Sequence, residues 1–263
     1  MIIVPWDELT GPAAEAAARQ AIALTIGVFD GIHIGHRRLL TEVVHNNMDA
    51  LPVVCTFRRN PGEVLGTKLL PGNILSHRQK LLKFELLGIR ELVLIDFSPE
   101  IGKLAGEDFL AILERVFDLR KLVIGYNFRM GRGRRTGIQE LVSRYSPSET
   151  ELAVIPAAHY QDRAVSSSRI REAIRQARFE ESREMLSEPY CLDLVGLALQ
   201  RSGRRASVAR KDVDQILPQA GTYRALLRSS REEVPVEVTI DGDRASWDAL
   251  PESNETEICF IGG

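Results

Sequence analysis

Two histidines follow an apolar run near the start of the chain, and they are the first residues whose spacing could do chemistry. His33 and His36 lie in the glycine-containing stretch Gly27–His36. Glycine lets a backbone approach a ligand closely. Histidine can donate hydrogen bonds to phosphoryl oxygens, and the first turn of a following helix would offer free N–H groups. The pattern predicts a phosphate site. A surface or capping histidine is the alternative, and a metal site is disfavoured because the stretch offers no third ligand.

A second candidate segment, Gly125–Arg135, is rich in glycine and arginine and also follows an apolar run. Asn127 is placed to bind a phosphate or hydrated Mg²⁺, and arginine suits phosphate oxygens. The alternatives are a solvated basic loop and a site for a nucleic-acid backbone. The second alternative has only Tyr126 and Phe128 available for stacking on bases.

The third candidate segment, Val165–Arg171, combines serines with arginines. Ser166 or Ser167 could simply cap a helix. Arg169 and Arg171, however, would lie in the first turn of that helix, where the helix dipole disfavours cations. A bound polyphosphate would remove this conflict, so the segment predicts either plain capping or a polyphosphate site.

The elements that must position these segments alternate along residues 1–187. Strands are expected at 23–29, 52–57, 91–95, 121–124 and 152–155, and helices at 37–46, 79–87, 107–117, 137–145 and 169–186. Apolar strands between helices predict an α/β fold, a Rossmann-like doubly wound parallel sheet. The three segments follow the first, fourth and fifth strands, so they should share the sheet edge at which ligands bind. The Ala-rich residues 13–23 predict a helix without chemistry.

The pattern changes near residue 187. Short β-like runs at 191–199, 222–227, 234–240 and 257–261 are separated by turn residues. These runs predict a small β-barrel-like domain over residues 188–263, after an α/β domain over residues 1–187.

Composition narrows the class of protein. The chain has 263 residues and a formal net charge of −2, with 44% hydrophobic residues, which argues against disorder and against nucleic-acid binding by a basic face. The apolar runs are too short for a membrane span, and the N-terminus lacks a signal-peptide pattern, so we expect a cytoplasmic protein. Neither a zinc site nor a disulfide is expected from Cys55, Cys191 and Cys259, because they are far apart and odd in number.

Taken in order, the three segments resemble the bacterial FAD synthetases, bifunctional riboflavin kinase/FMN adenylyltransferases of the HxGH nucleotidyltransferase superfamily. Gly27–His36 resembles the signature of that family. Gly125–Gly131 is similar to the family's Gly-x-(Asp/Asn)-Phe-x-Phe-Gly, with Met130 replacing the second Phe. Val165–Arg171 resembles Ile-Ser-Ser-Thr-x-Ile-Arg.

The resemblance implies transfer of AMP from ATP to FMN, with Mg²⁺ held mainly by the ATP phosphates and Asn127 as a candidate contact. The catalytic residues it implies are His33, His36, Asn127 and Arg169. The ATP-binding residues it implies are Gly27, Phe29, Asp30, Gly35, Gly125, Tyr126, Ser166, Ser167 and Arg171. The flavin contacts it implies are Phe57, Asn60 and Pro61.

Two segments depart from the family's pattern. Residues 59–60 read Arg-Asn where the family has Pro-His, and residues 205–211 lack the Pro-Thr-Ala-Asn of the kinase module. We therefore expect riboflavin kinase activity to be absent and the second domain to be a reduced kinase-like module. Residual kinase activity, another phosphorylated acceptor and a non-catalytic flavin- or nucleotide-binding regulator are the alternatives. The charged residues 201–211 are expected to be a solvated loop rather than a nucleic-acid site.

Overall fold

The computed structural model describes residues 1–11, 19–66, 71–249 and 255–262. The chain divides into two compact units. Unit 1 comprises residues 1–29, 35–69 and 81–158, and unit 2 comprises residues 30–34, 70–80 and 159–263. The predicted division into domains at residue 187 stays a prediction.

Unit 1 is built on a parallel sheet. The strands of this unit are β1 (Ile2–Pro5), β2 (Gln20–Ile26), β3 (Leu51–Phe57), β4 (Glu91–Ile95), β5 (Phe117–Gly125), β6 (Arg129–Met130), β7 (Thr136–Gly137) and β8 (Glu151–Ile155). Six of them form one sheet in the order β1-β4-β3-β2-β5-β8, and every neighbouring pair is parallel. Most residues of β2, β3 and β4 are buried, as in sheets that helices cover on both faces.

Helices separate these strands along the chain. They are α1 (Trp6–Thr10), α2 (Ile34–His45), α3 (Pro61–Val64), α4 (His77–Leu86), α5 (Gly106–Val116) and α6 (Ile138–Arg144). Helix α5 buries Phe109, Leu110 and Leu113, which recur at helical spacing and join the core of the sheet. No helix in the described part of the chain is long and apolar enough to cross a membrane.

Unit 2 contains an antiparallel sheet. Its helices are α7 (Ser167–Arg175) and α8 (Phe179–Leu186), and its strands are β9 (His159–Tyr160), β10 (Arg163–Ala164), β11 (Cys191–Asp193), β12 (Gln200–Ser202), β13 (Arg205–Ala209), β14 (Gly221–Ser229), β15 (Glu233–Ile240), β16 (Arg244–Asp248) and β17 (Glu255–Phe260). Seven strands pair in the order β11-β17-β14-β15-β16-β13-β12. A parallel Rossmann-like sheet and a curled antiparallel sheet confirm the predicted fold class.

The expectation that the cysteines form no disulfide is wrong. Cys191 and Cys259 lie directly opposite each other in the antiparallel pair β11 and β17, and they form a disulfide. A separation of 68 residues hides this pairing in the sequence, because strand register places the two side chains side by side. Cys55 is a free thiol buried in the core of unit 1.

Three local predictions also need correction. Of the Ala-rich residues 13–23, those at 13–18 lie outside the described residues, and those from Gln20 onward form β2 instead of a helix. The run expected at 191–199 is a strand only as far as Asp193. Residues 200–209 form the hairpin of β12 and β13 rather than a solvated loop, because β13 also pairs with β16.

Candidate nucleotide site

Two of the predicted loops, those after β2 and β5, leave the same edge of the parallel sheet in unit 1 as the loop after β3. The third predicted segment, Val165–Arg171, belongs to unit 2, and its place at this edge stays a prediction. The amide of Gly27, after β2, donates to the carbonyl of Cys55 in β3 at 3.1 Å. The amide of Tyr126, after β5, donates to the carbonyl of Ile155 in β8 at 3.0 Å, and the amide of Arg58 donates to Ile95 at 2.9 Å. Since β3, β2 and β5 are neighbours, the loops after these strands start side by side at the carboxyl edge, where ligands bind in such sheets.

The turn after β2, residues 29–33, holds an unusual backbone, and we call it the Asp30 turn. Phe29, Gly31 and Ile32 all have positive φ, at 52°, 91° and 41°. Left-handed backbone is costly for Phe and Ile and recurs at functional sites. The buried ring of Phe29 packs edge-on against His36 at 5.1 Å between centroids, and a Cβ on Gly27 would lie 3.1 Å from that ring. Glycine at position 27 therefore leaves room for Phe29.

Asp30 is buried and fully engaged within unit 2. Its Oδ1 accepts from the amides of Ile74 at 2.9 Å and Leu75 at 3.3 Å, and its Oδ2 accepts from the guanidinium of Arg171. The carbonyl of Asp30 accepts from the hydroxyl of Ser167 at 2.8 Å. Burial raises the pKa of Asp30, and Arg171 and the two amides oppose that rise. The predicted ATP-binding residues Asp30 and Arg171 thus bind each other.

The two histidines of the motif differ in environment. His33 is buried, and burial lowers its pKa to about 4, so its imidazole is neutral near pH 7. His36 is half-buried in the first turn of α2, one residue after Gly35, which is also half-buried. A neutral histidine can still donate one hydrogen bond to a phosphoryl oxygen.

The loop after β5, residues 125–129, is open where the Asp30 turn is closed, and we call it the Asn127 loop. Tyr126 and Asn127 are exposed, and Gly125 makes a turn by accepting from the amide of Phe128 at 3.0 Å. A cavity of about 370 Å³ adjoins this loop, and its lining is Tyr126, Asn127, Phe128, Arg129, Ile138, Gln139 and Glu140. The polar side chain of Asn127 is therefore available to a ligand.

The three predicted flavin contacts lie at the end of β3 or just after it. Phe57 packs edge-on against Phe97 at 5.7 Å between ring centroids. Asn60 caps α3, since its Oδ1 accepts from the amide of Gly62 at 3.0 Å, and Pro61 is the first residue of that helix. Local packing and capping account for Phe57 and Asn60, and their role toward a flavin stays a prediction.

The serine and arginine segment caps α7 and finds partners within unit 2. Ser166 is exposed and its hydroxyl accepts from the amide of Arg169 at 3.3 Å. Arg169 donates to the carbonyls of Tyr160 at 2.8 Å and Arg163 at 3.1 Å, and it pairs with Glu181 at 3.4 Å. Arg169 is therefore held by intramolecular partners near the start of α7, and its role toward a polyphosphate stays a prediction.

Sequence reasoning missed a charged residue beside the site. Lys80 in α4 is buried, and burial lowers its pKa to about 8, while the charge of Asp30 opposes that fall. The apolar pattern of α4 does not predict the burial of Lys80. The helix exposes Leu82 and Leu86, and it buries Gln79, Lys80 and Phe84.

The predicted residues thus fall into two sets. Unit 1 holds Gly27, Phe29, Gly35, His36, Phe57, Asn60, Pro61, Gly125, Tyr126 and Asn127. Unit 2 holds Asp30, His33, Ser166, Ser167, Arg169 and Arg171. Within unit 2 the structure brings Asp30, Ser167 and Arg171 into contact.

Comparison with solved structures supports the fold. The structure titled macrolide-efflux protein from Streptococcus pneumoniae superposes with a TM-score of 0.81 and 20% identity, covering 99% of this chain and 90% of that one. At this identity the likeness shows the fold alone.

Comparison with known sequences addresses the family. The chain is 25% identical over 206 residues to the FAD synthetase of Listeria monocytogenes, covering 78% of this chain and 80% of that protein. It is 26% identical over 174 residues to the bifunctional riboflavin kinase/FMN adenylyltransferase of Buchnera aphidicola, covering 65% of this chain and 56% of that protein. It is 24% identical over 216 residues to the protein of that name from Bacillus subtilis, covering 80% and 67%.

The sequence model of the FAD synthetase family matches residues 15–169, which span more than half of the chain. This range contains the histidine motif, the Asn127 loop and the third candidate segment as far as Arg169. The chain belongs to the FAD synthetase family and is a nucleotidyltransferase.

Proposed function

We propose that this protein transfers AMP from ATP to FMN, giving FAD and pyrophosphate, and that it lacks riboflavin kinase activity. The observation that carries the proposal is the Asp30 turn, where left-handed backbone at the carboxyl edge of a parallel sheet leads through His33 into α2. A helix start beside such an edge suits the phosphates of a nucleotide.

The reaction needs no covalent intermediate. A phosphate oxygen of FMN forms a bond to the α-phosphorus of ATP, while the bond from that phosphorus to the oxygen bridging to the β-phosphorus breaks. The bridging oxygen keeps the electron pair and leaves as part of pyrophosphate. Catalysis then consists of aligning the two substrates and stabilising the charge that develops on the phosphoryl oxygens.

His33 and His36 are proposed to donate hydrogen bonds to those oxygens. The negative charge of the phosphates would raise the pKa of His33 from its value of about 4 in the free protein, which strengthens its interaction as charge develops. His36→Ala should then lower kcat more than it weakens FMN binding, because the partner of His36 is charge present mainly in the transition state.

The other proposed contacts hold the triphosphate. Mg²⁺ would arrive with ATP, and the exposed amide oxygen of Asn127 fits it as one oxygen ligand beside several phosphate oxygens. Ser166, Ser167 and Arg169 would hold the end that leaves as pyrophosphate. The contact of Arg169 with Glu181 at 3.4 Å is longer than its two carbonyl contacts, so we expect an entering phosphate to replace it.

The absence of kinase activity is proposed from the second sheet. Where the family's kinase module has Pro-Thr-Ala-Asn, this chain has the regular strand β13, Arg205–Ala209. That strand pairs with neighbours on both sides, β12 and β16. It offers no Thr or Asn side chain for ATP and Mg²⁺.

The position of a label tests the chemistry of the transfer. Purified protein, FMN and Mg²⁺ are mixed with ATP labelled at either the α- or the γ-phosphate. We expect the α label in FAD and the γ label in pyrophosphate. Label from the γ position in FAD would contradict attack at the α-phosphorus, and no labelled flavin from either ATP would refute the proposed transfer.

A further inference from the structure

Both members of the buried Asp30–Arg171 pair are bonded to residues 72–76, which we call the 72–76 segment. Backbone amides of Ile74 and Leu75 donate to Oδ1 of Asp30. The carbonyl of Gly72 accepts from Nε of Arg171 at 2.9 Å. The segment therefore fixes the carboxylate that the Asp30 turn carries.

The 72–76 segment is in turn bonded to the chain that precedes β14. The amide of Asn73 donates to the carbonyl of Asp214 at 2.9 Å, and the amide of Ile216 donates to the carbonyl of Asn73 at 2.9 Å. Gly72 has a φ of +125°, and a Cβ there would lie 2.5 Å from the amide nitrogen of Ile216. Only glycine allows so close an approach.

Gln215 completes this attachment with a side chain that is 4% exposed. Its Nε2 lies within hydrogen-bond distance of three acceptors, the carbonyl of Ile74 at 3.1 Å, Oε1 of Gln79 at 3.1 Å and the carbonyl of Cys191 at 3.0 Å. Its Oε1 accepts from the amide of Asp193 at 2.7 Å. One buried amide group thus joins the 72–76 segment to the start of α4 and to β11 of the antiparallel sheet.

We propose that Gln215 is a positioning residue for nucleotidyl transfer, through which the antiparallel sheet holds the 72–76 segment and thereby the Asp30 turn. The antiparallel sheet then has a role in the transfer reaction that is separate from any kinase activity. This inference rests on the proposed function as far as the rate of FAD formation is concerned.

The backbone of the Asp30 turn explains why such an attachment matters. Gly31 and Ile32 have positive φ, and a non-glycine residue keeps this conformation only where its surroundings enforce it. His33 follows Asp30 by three residues and is buried. If the carboxylate of Asp30 loses its hydrogen bonds to the 72–76 segment, the turn can relax. His33 would then move out of alignment with the phosphates, and the transfer requires that alignment.

The test compares Gln215→Met with Ser182→Ala. The first substitution keeps the approximate size of the side chain and removes every hydrogen bond that the side chain of Gln215 makes. The second removes one hydrogen bond from an equally buried residue of unit 2, from Ser182 Oγ to the carbonyl of Phe179 at 2.8 Å, which has no part in the attachment. Both are measured for thermal unfolding, for kcat and KM in FAD formation, and for amide hydrogen exchange at residues 30–33.

We expect Gln215→Met to speed exchange at residues 30–33 and to lower kcat on the order of tenfold, with a smaller change in the KM for FMN. Ser182→Ala should lower stability only. Normal exchange at residues 30–33 in Gln215→Met overturns the inference, as does an unchanged kcat. If the wild type makes no FAD, the proposed function fails, and the exchange result still decides whether Gln215 holds the turn. Should Gln215→Met fail to fold, Gln215→Glu keeps the acceptor for Asp193 and loses the donors to Ile74, and the same two readouts apply.

Discussion

The Asp30 turn and the Asn127 loop follow two neighbouring strands of one sheet, yet they are built in opposite ways. In the first, Asp30 is 7% exposed and its carboxylate is bonded to Arg171 and two amides. In the second, Asn127 is exposed on the wall of a cavity of about 370 Å³. Intramolecular partners hold the first region, whereas the side chain of Asn127 is open to a ligand. Substitutions should therefore affect folding as well as activity in the first region, and activity alone in the second.

The largest effect is expected from Asp30→Ala. This change leaves the buried guanidinium of Arg171 without its carboxylate and two amides without an acceptor, so the free energy of unfolding should fall by about 3–5 kcal/mol. Denaturant unfolding measures it. Asp96→Ala is the control, because it breaks the exposed contact to Arg58 at 3.7 Å and should cost less than about 1 kcal/mol. Equal losses in the two variants would contradict the claim that the buried pair of Asp30 and Arg171 stabilises the fold more than the exposed pair of Asp96 and Arg58.

The second largest effect is expected from breaking the disulfide, which lies in the antiparallel sheet that we propose holds the Asp30 turn. Reduction of Cys191–Cys259 opens a link across 68 residues and should lower the free energy of unfolding by about 2–4 kcal/mol. Because the carbonyl of Cys191 accepts from Gln215, exchange at residues 30–33 should rise more than exchange at the Asn127 loop. The measurement is unfolding with and without reductant. The double variant of Cys191 and Cys259 to Ser should not respond to reductant, and a wild type that does not respond would contradict this account.

The burial of His33 predicts a pH dependence of stability. Its pKa is about 4 in the folded protein against 6.5 when unfolded, so the unfolded chain binds the proton first as the pH falls. Stability from this group is present above pH 6.5 and is lost as the pH falls toward 4, by up to about 3 kcal/mol. Unfolding measured from pH 7 to pH 4 should show a shallower loss in His33→Gln than in the wild type. His45→Gln, at an exposed histidine, should keep the wild-type slope, and equal slopes in all three proteins would refute the burial argument.

Asn127→Ala should have the smallest effect on stability. The side chain is exposed, so unfolding should change by no more than about 0.5 kcal/mol. The rate of FAD formation should nevertheless fall about tenfold to a hundredfold, since a contact to the triphosphate is lost. Arg134→Ala is the control, because Arg134 is also exposed but does not line the cavity. Equal rates for the wild type and Asn127→Ala would remove Asn127 from the site.

The sequence was informative where a pattern repeats along the chain. Apolar runs between helical stretches predicted the parallel sheet, which the structure confirms. The glycines with His33 and His36 predicted a phosphate site, which stays a prediction. These features depend on neighbours in sequence, so periodicity and motif spacing reveal them. The exposed loop after β5 was also predicted, because Gly125–Arg135 has the composition of a loop.

Features that depend on distant partners were missed. The disulfide follows from the register of β11 and β17, and the burial of Lys80 follows from tertiary packing that overrides the apolar pattern of α4. The partners of Arg169 were missed in the same way, since the carbonyls of Tyr160 and Arg163 come from a hairpin whose two-residue strands have no signal of their own. A role of this segment toward a polyphosphate stays a prediction.

The most direct test of the central claim is the choice of flavin substrate. Purified protein is incubated with ATP and Mg²⁺ and with either FMN or riboflavin, and the flavin products are separated and quantified. The account predicts FAD from FMN, and neither FMN nor FAD from riboflavin. Any FMN or FAD made from riboflavin would contradict the loss of the kinase, and the absence of FAD from FMN would contradict the claim that this chain is an FMN adenylyltransferase.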